Sequence, residues 1–153
     1  MKRSDLDILV HEGEGTTLEY KEGLSASLTR ELVALANTLG GKILLGVRDD
    51  RTISGIADSN ELRARIQDLA RNCDPPIGIR IEPVGRVIVV HVAESASKPV
   101  QCREGFFWRQ GSVTQKLSRG EILSFFRKEG HIRFDLAPCQ AFRYPRDFDR
   151  QKY

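Results

Sequence analysis

Between Thr17 and Glu22 apolar and polar residues alternate, Leu18 and Tyr20 against Glu19 and Lys21. A two-residue period of this kind predicts a half-buried strand. From Ser27 the period lengthens: Leu28, Leu32, Leu35, Ala36 and Leu39 fall near helical spacing, with Ser25 or Ser27 available as N-cap and Gly40-Gly41 as a left-handed stop. Lys42 to Val47, KILLGV, then predicts a buried strand closed by the turn-prone RDDRT, and Ile53 to Ile56 a short extended piece.

The second half of the chain repeats these signals. Asp58 to Cys73 reads as a helix, with Asp58 and Glu61 spaced as a capping box, Leu62, Ile66, Leu69 and Ala70 on its inner face, and Asp74-Pro75-Pro76 as its stop. Ile77 to Val84 and Val87 to Ala93 flank Gly85-Arg86 as a hairpin, and VIVVHV is β-branched enough for a central strand. Phe106 to Arg109 predicts another strand, ended by a Gln110-Gly111-Ser112 turn. Ser118 and Glu121 form a capping box that opens a last helix, with Ile122, Leu123, Phe125 and Phe126 facing the core. The expected fold is therefore α/β, with α+β as the variant: a mixed sheet of about five to six strands packed with three or so helices. No period survives beyond His131. The expected organisation is a domain over residues 1–130 and a tail, 131–153, leading into a further domain.

Composition narrows the class. The chain has 153 residues, 40% hydrophobic and 29% charged, enough for one core. No apolar run approaches the length of a membrane span, and the run Ile8 to Val10 is too short for a signal peptide. Cys73, Cys102 and Cys139 are odd in number and lack a CxxC pattern, which points to reduced thiols, a cytoplasmic location and no zinc site. Net charge is +3, unevenly spread: residues 1–97 carry a net −3 and residues 98–133 a net +5. Such asymmetry suits a phosphate-facing surface, and equally a solvated basic helix end.

Three constellations bear on chemistry. Gly40-Gly41-Lys42 superficially invites a phosphate-loop reading, but Lys42 is followed by Ile43 rather than Ser or Thr, and the glycines stand between a helix and a strand, the reverse of that motif. No nucleotide cofactor is expected for this domain. Glu14 and Glu19 bracket the start of the first strand, and Asp49 and Asp50 follow the next. If those strands pair, the carboxylates could converge, repel one another and hold Mg²⁺ or Mn²⁺; alternatively Lys21 neutralises Glu19 and the aspartates simply make a turn. The segment FFWRQGS interleaves Phe106, Phe107 and Trp108 with Arg109, offering stacking faces and phosphate-binding guanidinium groups, or else one core face and one solvated face.

Read together, LEYKE, ALANTLGGKILLGVRDD with ISGI, SKPV and FFWRQGS resemble the Schlafen Alba-type domain family over about residues 12–128. The resemblance implies an α/β nucleic-acid-binding domain of the kind that, in many bacterial and archaeal proteins, precedes an ATPase-like region and a winged helix in transcriptional regulators, some of them labelled RecG-related helicases. ATP would then belong to a downstream region. DNA is the expected partner ahead of RNA, with Arg103, Arg109, Lys116 and Arg119 on phosphates, Lys21 and Lys98 nearby, and Trp108 as a stacking platform. Vertebrate relatives cleave RNA with a metal held by a Glu, a second Glu five residues on and an Asp after the glycine-pair strand. Glu14 and Glu19 match the first two, and Asp49 or Asp50 must fill the third place, because Arg48 intervenes after Gly46-Val47. The alternative implied is thus a metal-dependent endoribonuclease using Glu14, Glu19 and Asp49, which would need a homodimer to form a clamp; a third class, apart from the resemblance, is an assembly module without nucleic-acid affinity.

Overall fold

The computed structural model describes residues 1–129. The elements run α1 (Arg3–Glu12), β1 (Leu18–Lys21), α2 (Leu28–Asn37), β2 (Gly41–Leu45), α3 (Asn60–Arg71), β3 (Ile79–Val84), β4 (Val87–Val92), β5 (Gln101–Cys102), β6 (Gly105–Gln110), β7 (Val113–Lys116) and α4 (Arg119–Lys128). The fold is α/β, as the alternation of periods predicts. The strands divide between a four-stranded sheet, ordered β1-β2-β4-β3, and a three-stranded sheet, β5-β6-β7. β1 and β2 are parallel through the α2 crossover, whereas the other pairings are antiparallel.

Layering follows from the strand faces. Ile43, Leu45, Ile88 and Val90 join α2 and the inner face of α3 in one core. Leu18, Tyr20, Leu44 and Val89 point the other way, onto Leu6, Leu9 and Val10 of α1. The three-stranded sheet closes α2 from its second side, with Phe107 in the same core as Leu32 and Leu35. α2 is therefore enclosed between two sheets, and eight of its ten residues are buried. An inner-face stripe is what its sequence predicts; burial on all sides is what its position imposes. Leu39, expected on that stripe, lies beyond the helix end and is 62% exposed.

Polar groups inside such a helix need partners, because an unpaired buried donor or acceptor costs about 1–3 kcal/mol. Asn37 supplies them across the layer boundary. Its Nδ2 donates to Val100 O at 2.9 Å and Phe107 O at 2.8 Å, and its Oδ1 accepts from Val100 N at 2.6 Å. Gly40 and Gly41 then turn the chain into β2 with φ of 70° and 152°. A Cβ on Gly41 would stand 2.3 Å from Thr17 O, the carbonyl that accepts from Lys42 N. The glycine pair thus serves a close backbone approach between the start of β2 and the start of β1.

Other details depart from the pattern. α1 carries no strong apolar stripe and was not signalled by periodicity; it forms because the α1-facing side of the sheet needs cover, and only Leu6 is fully buried. α3 is capped by Ser59, whose hydroxyl accepts from Leu62 N, rather than by Asp58, which forms a two-pronged pair with Arg63. The Ser118–Glu121 capping box is present. His91 sits on the rim of the central strand β4, and Cys73 and Cys102 are free thiols. The segment 131–153, read as a tail, lies outside the described residues. Among the described residues no helix is long and apolar enough to cross a membrane.

Replacing Asn37 by Ala is expected to destabilise the fold by about 2–4 kcal/mol, because three backbone groups lose their partner inside the core. Gly41→Ala is expected to cost a comparable amount through backbone strain and the Thr17 clash. Urea unfolding followed by far-ultraviolet circular dichroism checks both.

Candidate functional site

Alternation along β6 sends Phe107 and Arg109 toward α2, and Phe106 and Trp108 toward α4. Arg109 is consequently 3% exposed. Its Nη1 donates to Glu19 Oε2 at 2.6 Å, Thr114 Oγ1 at 3.0 Å and Glu31 Oε2 at 3.2 Å. Its Nη2 donates to Gly15 O at 2.7 Å and Leu18 O at 3.0 Å. Leu18 lies on β1, an outer strand whose odd-numbered carbonyls, Thr17 and Lys21, face β2. Its own carbonyl points to the outer edge, where it also accepts from Gly15 N at 3.0 Å, so the guanidinium joins the Gly15 bridge in covering that sheet edge. Arg109, expected on phosphate, is thus engaged within the fold. A strand with two covered faces places its arginine inside if that face carries the carboxylates.

Those carboxylates come from α2, from β1 and from the loop before β1. Glu31, on α2, accepts from Thr114 Oγ1 at 2.5 Å, and its Oε1 is 3.5 Å from Lys21 Nζ. Glu19 lies between Arg109 and Glu14: the Tyr20 N–H donates to Oε1 of Glu19 at 3.0 Å and of Glu14 at 3.2 Å. The cluster therefore sets two buried carboxylates, Glu19 and Glu31, with the exposed Glu14 at its rim, against two cations, Arg109 and Lys21. Burial, reinforced by the neighbouring Glu14, pushes the Glu19 carboxyl up from 4.5 to about 7 despite the pull of Arg109, whose charge is shared with Glu31. Proton uptake by Glu19 relieves the surplus charge.

Asp49 is not gathered with them. It is exposed beyond the end of β2, beside Arg48 and Tyr20 in an open groove of about 700 Å³, while Asp50 closes its own turn by accepting from Thr52 N at 2.9 Å. Among the described residues no group of three or more His, Cys, Asp or Glu side chains is placed to hold a metal ion. Glu14 and Glu19 thus converge as the first two acids of the expected set, and the third place stands apart.

The remaining basic residues divide. Lys98 Nζ donates to Thr38 O at 3.0 Å and pairs with Glu94 at 2.5 Å, fastening the loop before β5 to the end of α2. Arg103, Lys116 and Arg119 are exposed around the three-stranded sheet, with Lys116 laid across Gly105. Trp108 is half-buried, its ring edge-on to Phe125 with centroids 6.1 Å apart, so its stacking capacity is partly used within the fold. Glu31, Thr38 and Thr114 escaped the sequence reading. The available signal was Glu31 within an otherwise apolar helical run, a sign that its carboxylate has an inner partner.

Removing the buried guanidinium with Arg109→Leu is expected to cost about 3–5 kcal/mol, since two carboxylates lose their cation and the Gly15 and Leu18 carbonyls lose a donor. Because the folded pKa of Glu19 is raised, its stabilising contribution is complete below about 4.5 and is lost as pH rises through about 7. Melting temperature is therefore expected to fall between pH 5 and pH 8, and Glu19→Gln to flatten that part of the profile. Differential scanning calorimetry across the range measures both.

A family model described as Schlafen, AlbA_2 matches residues 14–118, and the family is one of nucleic-acid-related domains. No curated protein matches the chain. Among solved structures, the DIP2311 protein from Corynebacterium diphtheriae is similar in fold, with a TM-score of 0.58 at 18% identity; the match covers 82% of this chain and 28% of that one.

Proposed function

The chain belongs to the Schlafen AlbA_2 family, and on that footing we propose that it is a nucleic-acid-binding domain, directed to DNA and working within a longer transcriptional regulator. The observation that carries this reading is the division of its cations. Arg109 and Lys98 are consumed by the fold, whereas Arg103, Lys116 and Arg119 face solvent around the three-stranded sheet without a carboxylate partner among the described residues. Arg119 opens α4, where a positive side chain opposes the helix dipole and contributes nothing to the helix; beside a phosphate the same position becomes favourable.

Binding of this kind is dominated by phosphate neutralisation and weakens steeply with salt. In a fluorescence-anisotropy titration, duplex DNA is expected to bind at low salt, and the triple substitution Arg103→Gln, Lys116→Gln, Arg119→Gln to lower the salt slope by about 2.7. Absence of binding to any DNA or RNA defeats the reading.

The meeting of Glu14 and Glu19 at one amide favours a second reading, a Mg²⁺- or Mn²⁺-dependent endoribonuclease. It requires Asp49 or a partner subunit to complete the site. Structured RNA incubated with Mn²⁺ should then be cleaved by the native chain and not by Glu19→Gln; equal cleavage by both rules the carboxylate mechanism out.

A further inference from the structure

The face of the four-stranded sheet that α1 covers is not covered to its end. There the register sets Lys42 of β2 opposite His91 of β4, and His91 opposite Arg80 of β3, so three basic residue types stand in one row across three adjacent strands. The acid beside it, Glu82, is fully engaged: it takes the Met1 amino group, His91 Nε2 at 2.8 Å and Arg80 Nη1 at 3.1 Å. Asp5, at the neighbouring start of α1, is occupied by the Lys2 N–H at 3.0 Å. Lys42 makes no ion pair among the described residues, and Arg80 keeps further N–H donors beyond the one spent on Glu82.

The row forms the floor of an open groove of about 450 Å³, walled on the α1 side by Asp5 and by Ile8, which is 57% exposed. Lys42 and Arg80 stand two strand spacings apart, roughly 10 Å. From that backbone spacing the two long side chains can reach neighbouring phosphates of one strand, with Ile8 as an apolar wall for a sugar or base. The Gly40-Gly41 turn, which failed as a phosphate loop, has its consequence here: it delivers Lys42 to the rim of the sheet at the start of β2.

Resting on the nucleic-acid reading above, we infer that Lys42, His91 and Arg80 form a second phosphodiester-binding row, on the α1 face of the four-stranded sheet and separate from the Arg103, Lys116 and Arg119 set. The ligand is a nucleic-acid backbone rather than a free anion. Glu82 limits the affinity of the row by holding Arg80 and His91 back.

Fluorescein-labelled single-stranded DNA, duplex DNA and single-stranded RNA, titrated against the full chain at low salt, test the inference. Lys42→Gln with Arg80→Gln should raise Kd about tenfold and reduce the salt slope by about 1.8 for duplex or 1.4 for a single strand, with the melting temperature verified to be near that of the native chain. Glu82→Gln should lower Kd several-fold, a gain that partial unfolding cannot imitate. Unchanged Kd and slope in the double variant, alongside weakened binding by the Arg103, Lys116 and Arg119 variant, would overturn this row and leave the nucleic-acid reading standing. No binding by the native chain overturns both.

Discussion

Arg109 carries its charge into the interior and thereby decides how the two sheets can be joined. A guanidinium out of water is tolerated only when its charge is matched and its donors are used, since the desolvation penalty is several kcal/mol. Here the match comes from β1 through Glu19 and from α2 through Glu31, while Thr114 of β7 and the carbonyls of Gly15 and Leu18 take further Nη donors and only the Nε–H is left without a partner among the described residues. One side chain thus ties the three-stranded sheet to the helix it covers and to the edge of the sheet beyond. Asn37 performs the same task without charge at the other end of α2.

That arrangement also shapes the electrostatics available for function. Glu19, buried beside the carboxylate of Glu14, takes up a proton near neutral pH although Arg109 pairs with it. Cations not needed inside are left on the outer layers: one group around the three-stranded sheet, another across β2, β4 and β3. A domain built as helix, sheet, helices, sheet, helix has two outer surfaces, and both present basic residues to solvent.

Much of the architecture was legible in the chain. The strand at Leu18, the helix from Leu28, the Gly40-Gly41 stop, the hairpin around Gly85-Arg86 and the Ser118–Glu121 cap all lie where local patterns place them, because period, capping and turn chemistry are short-range effects. What escaped were elements that depend on neighbours. α1 has a weak apolar face, β5 is two residues long, and β7 alternates around Thr114 and carries an exposed Val113. Each is stabilised by what it pairs with or covers, not by its own composition.

The candidate site divides along the same line. By itself the sequence determined that Phe106 and Trp108 lie on one face of their strand and Phe107 and Arg109 on the other, since a two-residue period admits no other arrangement. It also determined the Glu14–Glu19 spacing and the presence of Asp49 after the glycine-pair strand. Only the tertiary structure decided that Arg109 goes inward, that Glu31 meets it, and that Asp49 stands apart from the two glutamates. Both faces of that strand are covered by helices, so local pattern cannot distinguish them. The choice rests on carboxylates seventy-eight and ninety residues away in the chain, brought to one side of α2 by the packing of the two sheets.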